Sequence, residues 1–196
     1  MKTQDKEYAG RLYKNQYVWW KRLLDVQAPY RCHLRRIHPG FVLDIGCGIG
    51  RNLIHLDGNG VGIDHNTAAV EIARNKGLQV FTPEDFHKSE YNIPLRFDSI
   101  LLAHVAEHMT EQEVVNLLKT YFPLLKNNGN LIIITPQEKG YDSDATHVQF
   151  VDFDVQHRII KALNLEFVRQ YSFPFPRFFG SFFKYNEFIG ISRKSG

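Results

Sequence analysis

Asp44 stands two residues ahead of Gly46, the first of three glycines spaced G-x-G-x-G through Gly48 and Gly50, directly after the apolar run Phe41-Val42-Leu43. Glycines at that spacing let a backbone turn tightly at the end of a buried strand, approach a ligand closely and aim N–H groups at it. The spacing departs from the G-x-G-x-x-G of dinucleotide sites. A carboxylate at Asp44 also repels a pyrophosphate and suits an ammonium group. Twenty residues further on, Asp64 closes the next apolar run, where a carboxylate can accept both hydroxyls of a ribose and rejects a 2′-phosphate. The third run ends in Thr82-Pro83-Glu84-Asp85-Phe86. Glu84 and Asp85 compete there to receive the amino group of an adenine, and the Phe86 ring can cover the base. The plainer alternative is a simple strand-to-helix turn with Asp44 and Asp64 as caps.

A second group of reactive side chains follows the fourth apolar run. His104-Val105-Ala106-Glu107-His108 matches H-x-x-E-H, a zinc-hydrolase pattern with histidines one helical turn apart. The segment follows a strand instead of lying within a long amphipathic helix, so no metal is expected. His104 and His108 are expected either to bond backbone carbonyls or to line a cleft as substrate contacts or bases. His147, in Asp144-Ala145-Thr146-His147 on the loop opened by Thr135-Pro136-Gln137, is the preferred general base, because an unperturbed imidazole titrates near working pH.

These residues must be held by alternating strands and helices. Strands are expected at 41–43, 60–63, 78–81, 97–102 and 131–134, and helices at 66–76, 111–125 and 153–162. Asn127-Asn128-Gly129 reads as a turn into the fifth strand, and the strands near 166–171 and 186–191 read as a terminal hairpin. Alternation at this spacing implies an open, mostly parallel sheet covered on both faces, with ligands beyond the carboxyl ends of the strands. An aromatic and basic helix is expected over 8–26, carrying Tyr17, Trp19 and Trp20. The stretch Ser172 to Gly180 holds so many phenylalanines and prolines that it must pack on that helix, cover a substrate or meet a second copy. Arg31, Arg35 and Arg36 form either a solvated face or an anion contact for the substrate.

The 196 residues, 43% of them hydrophobic, suit one domain. It is expected to comprise a helical extension over 1–39 covering the cleft, a cofactor-binding core over 41–136, and a substrate-side loop and hairpin over 137–196. No signal peptide or twenty-residue apolar run is evident, so a cytoplasmic protein without a membrane span is expected. Cys32 and Cys47 should be reduced. A net charge of +3 is too mild to imply nucleic acid.

Val42-Leu43-Asp44-Ile45-Gly46-Cys47-Gly48-Ile49-Gly50, Gly62-Ile63-Asp64 and Phe97-Asp98-Ser99-Ile100 resemble the motifs of class I S-adenosylmethionine-dependent methyltransferases. Leu125-Lys126-Asn127-Asn128-Gly129-Asn130-Leu131 resembles the turn before that family's fifth strand, and the Glu107-His108 pair is also frequent there. The resemblance covers roughly 41–136 and is nearest to small-molecule enzymes of the ubiquinone-biosynthesis type. It implies an α/β, Rossmann-like, seven-stranded and mostly parallel sheet with helices on both faces and an antiparallel C-terminal hairpin. It implies S-adenosylmethionine as cofactor and S-adenosylhomocysteine as product, bound by Asp44, Gly46, Gly48, Gly50 and Asp64. Cys47, His65, Glu84, Asp85, Phe86 and His104 are further candidate contacts, and His104, His108 and His147 are candidate catalytic residues. The expected acceptor is a small molecule, apolar or aromatic, handled by a monomer or homodimer. The rivals are an RNA methyltransferase, a nicotinamide-dependent oxidoreductase on a similar sheet, and a zinc hydrolase using His104, Glu107 and His108.

Overall fold

The computed structural model describes residues 27–196, so the aromatic helix expected over 8–26 lies outside the described residues. The chain divides into two compact units after Asn92. The seven strands run in the order β3-β2-β1-β4-β5-β7-β6.

In the first unit, helix α1 (Ala28–Arg36) precedes strand β1 (Val42–Ile45), α2 (Arg51–His55), β2 (Gly60–Ile63), α3 (Thr67–Arg74), β3 (Val80–Phe81) and α4 (Pro83–His87). The strands are parallel, with Val42 opposite Gly60 and Gly62 opposite Val80. All of β1 and β2 is buried. Their sequences are therefore continuous apolar runs instead of alternating ones, with Asp44 the sole charged residue. Gly62 has a packing reason to be glycine, since a Cβ there would stand 2.5 Å from the Cys47 sulfur. Polar side chains start the helices as the sequence indicates: Asn66 accepts from the Ala69 N–H at 3.1 Å, and Thr82 from the Asp85 N–H at 3.1 Å. Arg35, expected in a solvated face or an anion contact, instead braces α1 against the end of α2. Its Nε donates to the His55 carbonyl at 2.6 Å and its guanidinium pairs with Asp57.

The second unit carries β4 (Phe97–Ala103), α5 (Glu111–Tyr121), β5 (Leu125–Pro136), the short α6 (Glu138–Tyr141), α7 (Phe153–Ala162), β6 (Glu166–Phe173) and β7 (Glu187–Arg193). β4 and β5 are parallel, whereas β7 runs antiparallel to both β5 and β6, which is the expected terminal hairpin. The strands of this unit have a largely apolar core. Leu101, Leu102 and Ile132 are fully buried, each contributing about 1.5–3 kcal/mol relative to exposure. A reciprocal cap between Thr110 and Glu113 starts α5.

One local expectation changes. Asn127-Asn128-Gly129 does not precede β5 but interrupts it: Phe97 pairs with Leu125 and Ser99 with Asn130, so the additional residues of β5 bulge out. Asn128 supplies the left-handed conformation this needs, and the bulge is tied to the chain end by the Asn128 N–H bond to the Lys194 carbonyl at 2.9 Å. The segment after β6 leaves Phe175, Phe178, Phe179 and Phe182 exposed, with the Phe179 ring against those of Phe175 and Phe178.

Candidate functional site

In the first unit β1 carries Asp44 to its carboxyl end, where the residue is 1% exposed. Asn52 donates to its Oδ1 at 3.4 Å, and its Oδ2 has no partner among the described residues. Burial pushes this carboxyl up to about 7; Asn52 and Arg51 moderate the rise and the charge of Asp64 adds to it. Asp64 accepts the Gly48 N–H on Oδ2 at 2.7 Å and the Asn66 N–H on Oδ1 at 2.8 Å, fastening the glycine turn to the start of α3. Each carboxylate oxygen keeps a lone pair for a further donor.

The turn itself is left-handed at Gly46, Gly48 and Gly50, with φ of 71°, 54° and 79°. At Gly50 a Cβ would meet the Leu78 side chain at 2.2 Å, so glycine is required twice over. The amides of Gly46 and Cys47 donate to the Ile63 carbonyl, that of Gly48 to Asp64, and that of Gly50 to the Cys47 carbonyl. The turn thus presents carboxylates, and few free amides, to a ligand. An anion has little to bind here and a cation has much.

The other first-unit candidates separate. Cys47 is buried among Leu53, Val70, Ala73 and Val80, and burial raises its thiol well above the ordinary range, so its side chain is a packing group. His65 is half-exposed, its Nδ1 3.9 Å from Asp64 Oδ1. Glu84 and Asp85 are exposed in the first turn of α4, and Asp85 pairs with Arg74 at 3.2 Å. Phe86, expected to cover a base, is fully buried edge-on to Phe81. The α4 turn points it inward because its neighbours in the helix take the exposed face.

In the second unit, His104 follows β4 in a left-handed conformation with φ of 58°. Its Nε2 lies 2.8 Å from Glu187 Oε1 and its Nδ1 3.3 Å from Glu107 Oε1. Burial works against its charge, but the bonds and charges of Glu107 and Glu187 outweigh this and push it up to about 9. A ring that holds its proton at neutral pH, with both nitrogens engaged by carboxylates, is a fixed cation; the expectation of His104 as a base is set aside.

His108 and His147 meet as rings 4.9 Å apart. His147 Nδ1 donates to the Tyr141 carbonyl at 2.6 Å, and the ring stacks on Tyr141. His108 Nδ1 lies 3.3 Å from the Thr146 carbonyl and 3.2 Å from its hydroxyl oxygen. That hydroxyl gives its own hydrogen to Asp144 at 2.8 Å, so Nδ1 is the donor. In the neutral form of each ring the lone pair is therefore on Nε2.

A family model described as a methyltransferase domain matches residues 18–170, most of the chain. The chain belongs to this methyltransferase family. Its methyl donor is S-adenosylmethionine. No curated protein matches the methyltransferase in sequence. Among solved structures it is similar to an S-adenosylmethionine-dependent methyltransferase of Archaeoglobus fulgidus, at 17% identity over 91% of this chain and 99% of that one, with a TM-score of 0.64. It is also similar to a magnesium protoporphyrin IX methyltransferase of Synechocystis with bound S-adenosylhomocysteine, at 16% identity over 87% and 86% of the two chains and a TM-score of 0.61. A methyltransferase of Methanosarcina mazei shares 16% identity over 79% and 92%, with a TM-score of 0.59. These likenesses bear out the Rossmann-like sheet.

The residues of the methyltransferase fit the donor. A buried carboxylate oxygen without a partner, on a turn whose amides are mostly engaged, is matched to an ammonium or sulfonium charge. Sequence reasoning missed Asn52, Glu187, Tyr141 and Thr146, which orient Asp44, His104, His147 and His108. Only Asn52, a polar residue two positions past Gly50 in the first turn of α2, had a local signal. Among the described residues no helix is long and apolar enough to cross a membrane.

Proposed function

We propose that this methyltransferase moves the methyl group of S-adenosylmethionine to a small-molecule acceptor in the cytoplasm, with Asp44 holding the methionyl end, Asp64 the ribose hydroxyls and Glu84 the adenine amino group. The observation that carries the donor assignment is the unpartnered Oδ2 of Asp44 at the carboxyl end of β1, beside a turn whose amides bond inward. Asp85 is the weaker adenine candidate because Arg74 occupies its carboxylate.

S-adenosylmethionine supplies a methyl group already activated by a positively charged sulfur. The chain's task is therefore to bind, orient and exclude water, and well-oriented partners reach effective molarities of about 10⁵ M or more. In the second unit, His108 and His147, whose neutral rings keep a lone pair on Nε2, are the candidate groups to relieve an acceptor of a proton, while His104 is held between Glu107 and Glu187. Isothermal titration of the folded chain with S-adenosylhomocysteine is the test. Saturable binding is expected, and absence of binding at high micromolar ligand sinks the donor assignment.

A further inference from the structure

We propose that Glu107, His108 and His147 form a site for a divalent transition-metal ion of the zinc type. One ligand atom from each side chain lies within 4.8 Å of the others. This is not the H-x-x-E-H triple of the sequence, because His104 turns away to Glu187 and His147 takes the third place.

Glu107 shows what is missing from the cluster. It is 1% exposed; its Oε1 faces His104, and its Oε2 has no hydrogen-bond partner among the described residues. A buried carboxylate oxygen without a donor is costly. In their neutral form the two neighbouring imidazoles carry their hydrogen on Nδ1 and direct it to an oxygen of Tyr141 or Thr146. One ligand atom from each of the three side chains lies close to the other two, and a cation held among them satisfies the buried Glu107 carboxylate.

The surroundings have the form of a metal site. Ligating histidines characteristically give their second ring N–H to a backbone carbonyl or carboxylate, which fixes the tautomer and the ring orientation. Both rings do so here, and Thr146 is itself held by Asp144 through bonds of 2.9 and 2.8 Å. The loop is also fastened to the turn, because the Val148 and Gln149 amides donate to the Glu107 carbonyl at 2.7 and 3.2 Å. Two imidazoles and one carboxylate are the ligand set of open, catalytic zinc sites, whose remaining position takes water or substrate. Imidazole ligands favour zinc, cobalt or iron over magnesium, which prefers carboxylate and water.

The chemical use of the site rests on the methyl-transfer reading. An acceptor hydroxyl bound at the open position exchanges its O–H bond for a metal–oxygen bond and releases its proton to water. The ion makes bound water far more acidic, bringing its pKa down to about 7, and acts on a hydroxyl in the same sense. The oxygen then takes the methyl group while the sulfur keeps the electron pair of the broken C–S bond. The two imidazoles hold the ion instead of taking the proton, and the acceptor class is a hydroxyl or phenol.

The test uses untagged chain stripped with chelator, titrated with zinc sulfate alone by calorimetry and assayed for retained metal by mass spectrometry after gel filtration. One zinc per chain is expected, together with visible d–d absorption on substituting cobalt. Glu107→Gln and His147→Ala should abolish retention, and Thr146→Ala should weaken it by about tenfold, while His157→Ala leaves it unchanged. No retention by the wild type, or retention unchanged in His147→Ala, overturns the site. If Glu107→Gln does not fold, the loop variant His147→Ala decides alone. S-adenosylhomocysteine titrated into the same samples separates the readings: zinc failure with nucleoside binding intact removes the metal, and the converse removes the donor assignment.

Discussion

The two units gather their functional groups by different means. In the first, Asp44, the three glycines and Asp64 are set by a strand, its turn and the next strand end, and they bond to one another through the Gly48 amide. In the second, Glu107 and His108 on one turn meet His147 from a loop that lies far along the chain. The first arrangement is stiff, local and fitted to one kind of ligand. The second depends on a loop fastened by a few hydrogen bonds, so it can change its chemistry with a few substitutions while the donor cradle stays fixed.

The sharpest way to break this contrast is through Asp44. Its carboxyl lies near 3.8 in the unfolded chain and is raised to about 7 when folded, so between those values the folded form binds the additional proton. Stability should therefore fall as pH rises across that window and level off above it. At 1.36 kcal/mol per unit the loss is on the order of 4 kcal/mol. Urea denaturation at pH 5 and pH 7.5 reads about 2.5 kcal/mol of it, because part of the window lies below pH 5, and Asp44→Asn should flatten the slope. Nucleoside binding has the opposite sign. The ammonium prefers the ionised carboxylate, so affinity for S-adenosylhomocysteine should weaken below about pH 7 by up to about tenfold per unit.

Asp64→Ala comes next. Losing acceptors for two backbone amides and for a ribose should lower S-adenosylhomocysteine affinity by about a hundredfold and reduce stability, read by calorimetry and thermal melting. Gly50→Ala should cost about 1–2 kcal/mol through its left-handed backbone and its collision with Leu78, measured as a lower urea midpoint. The smallest effect separates the adenine candidates: Glu84→Gln should weaken nucleoside binding several-fold, by about 1 kcal/mol, whereas Asp85→Asn should change it less. A reversed order would move the adenine contact to Asp85.

The same contrast explains what the sequence discloses. The order of strands and helices, the caps at Asn66 and Thr82 and the terminal hairpin are all legible, because period, capping and turn chemistry are local. Asp44 and Asp64 stand where their spacing indicates. Phe86 is misjudged because spacing says which residue follows a strand but not which way a short helix turns it. The Asn127-Asn128-Gly129 signal is a correct reading of backbone conformation and a misreading of its setting, since a strand can carry a bulge of turn residues. His104 looks like a base until Glu187, 83 residues away, is seen to engage it. Glu187 and Thr146 have no signature in sequence; only tertiary pairing brings them to their histidines.

Cys47 lies sealed behind Gly62, with its thiol held protonated, while Cys32 is exposed on α1. Thiol-directed reagents will therefore mark the native protein at a single place. Since α1 is braced through Arg35 to the end of the helix that leaves the glycine turn, a fluorophore on Cys32 is an optical gauge of that turn as nucleoside enters, obtained without engineering a new attachment point.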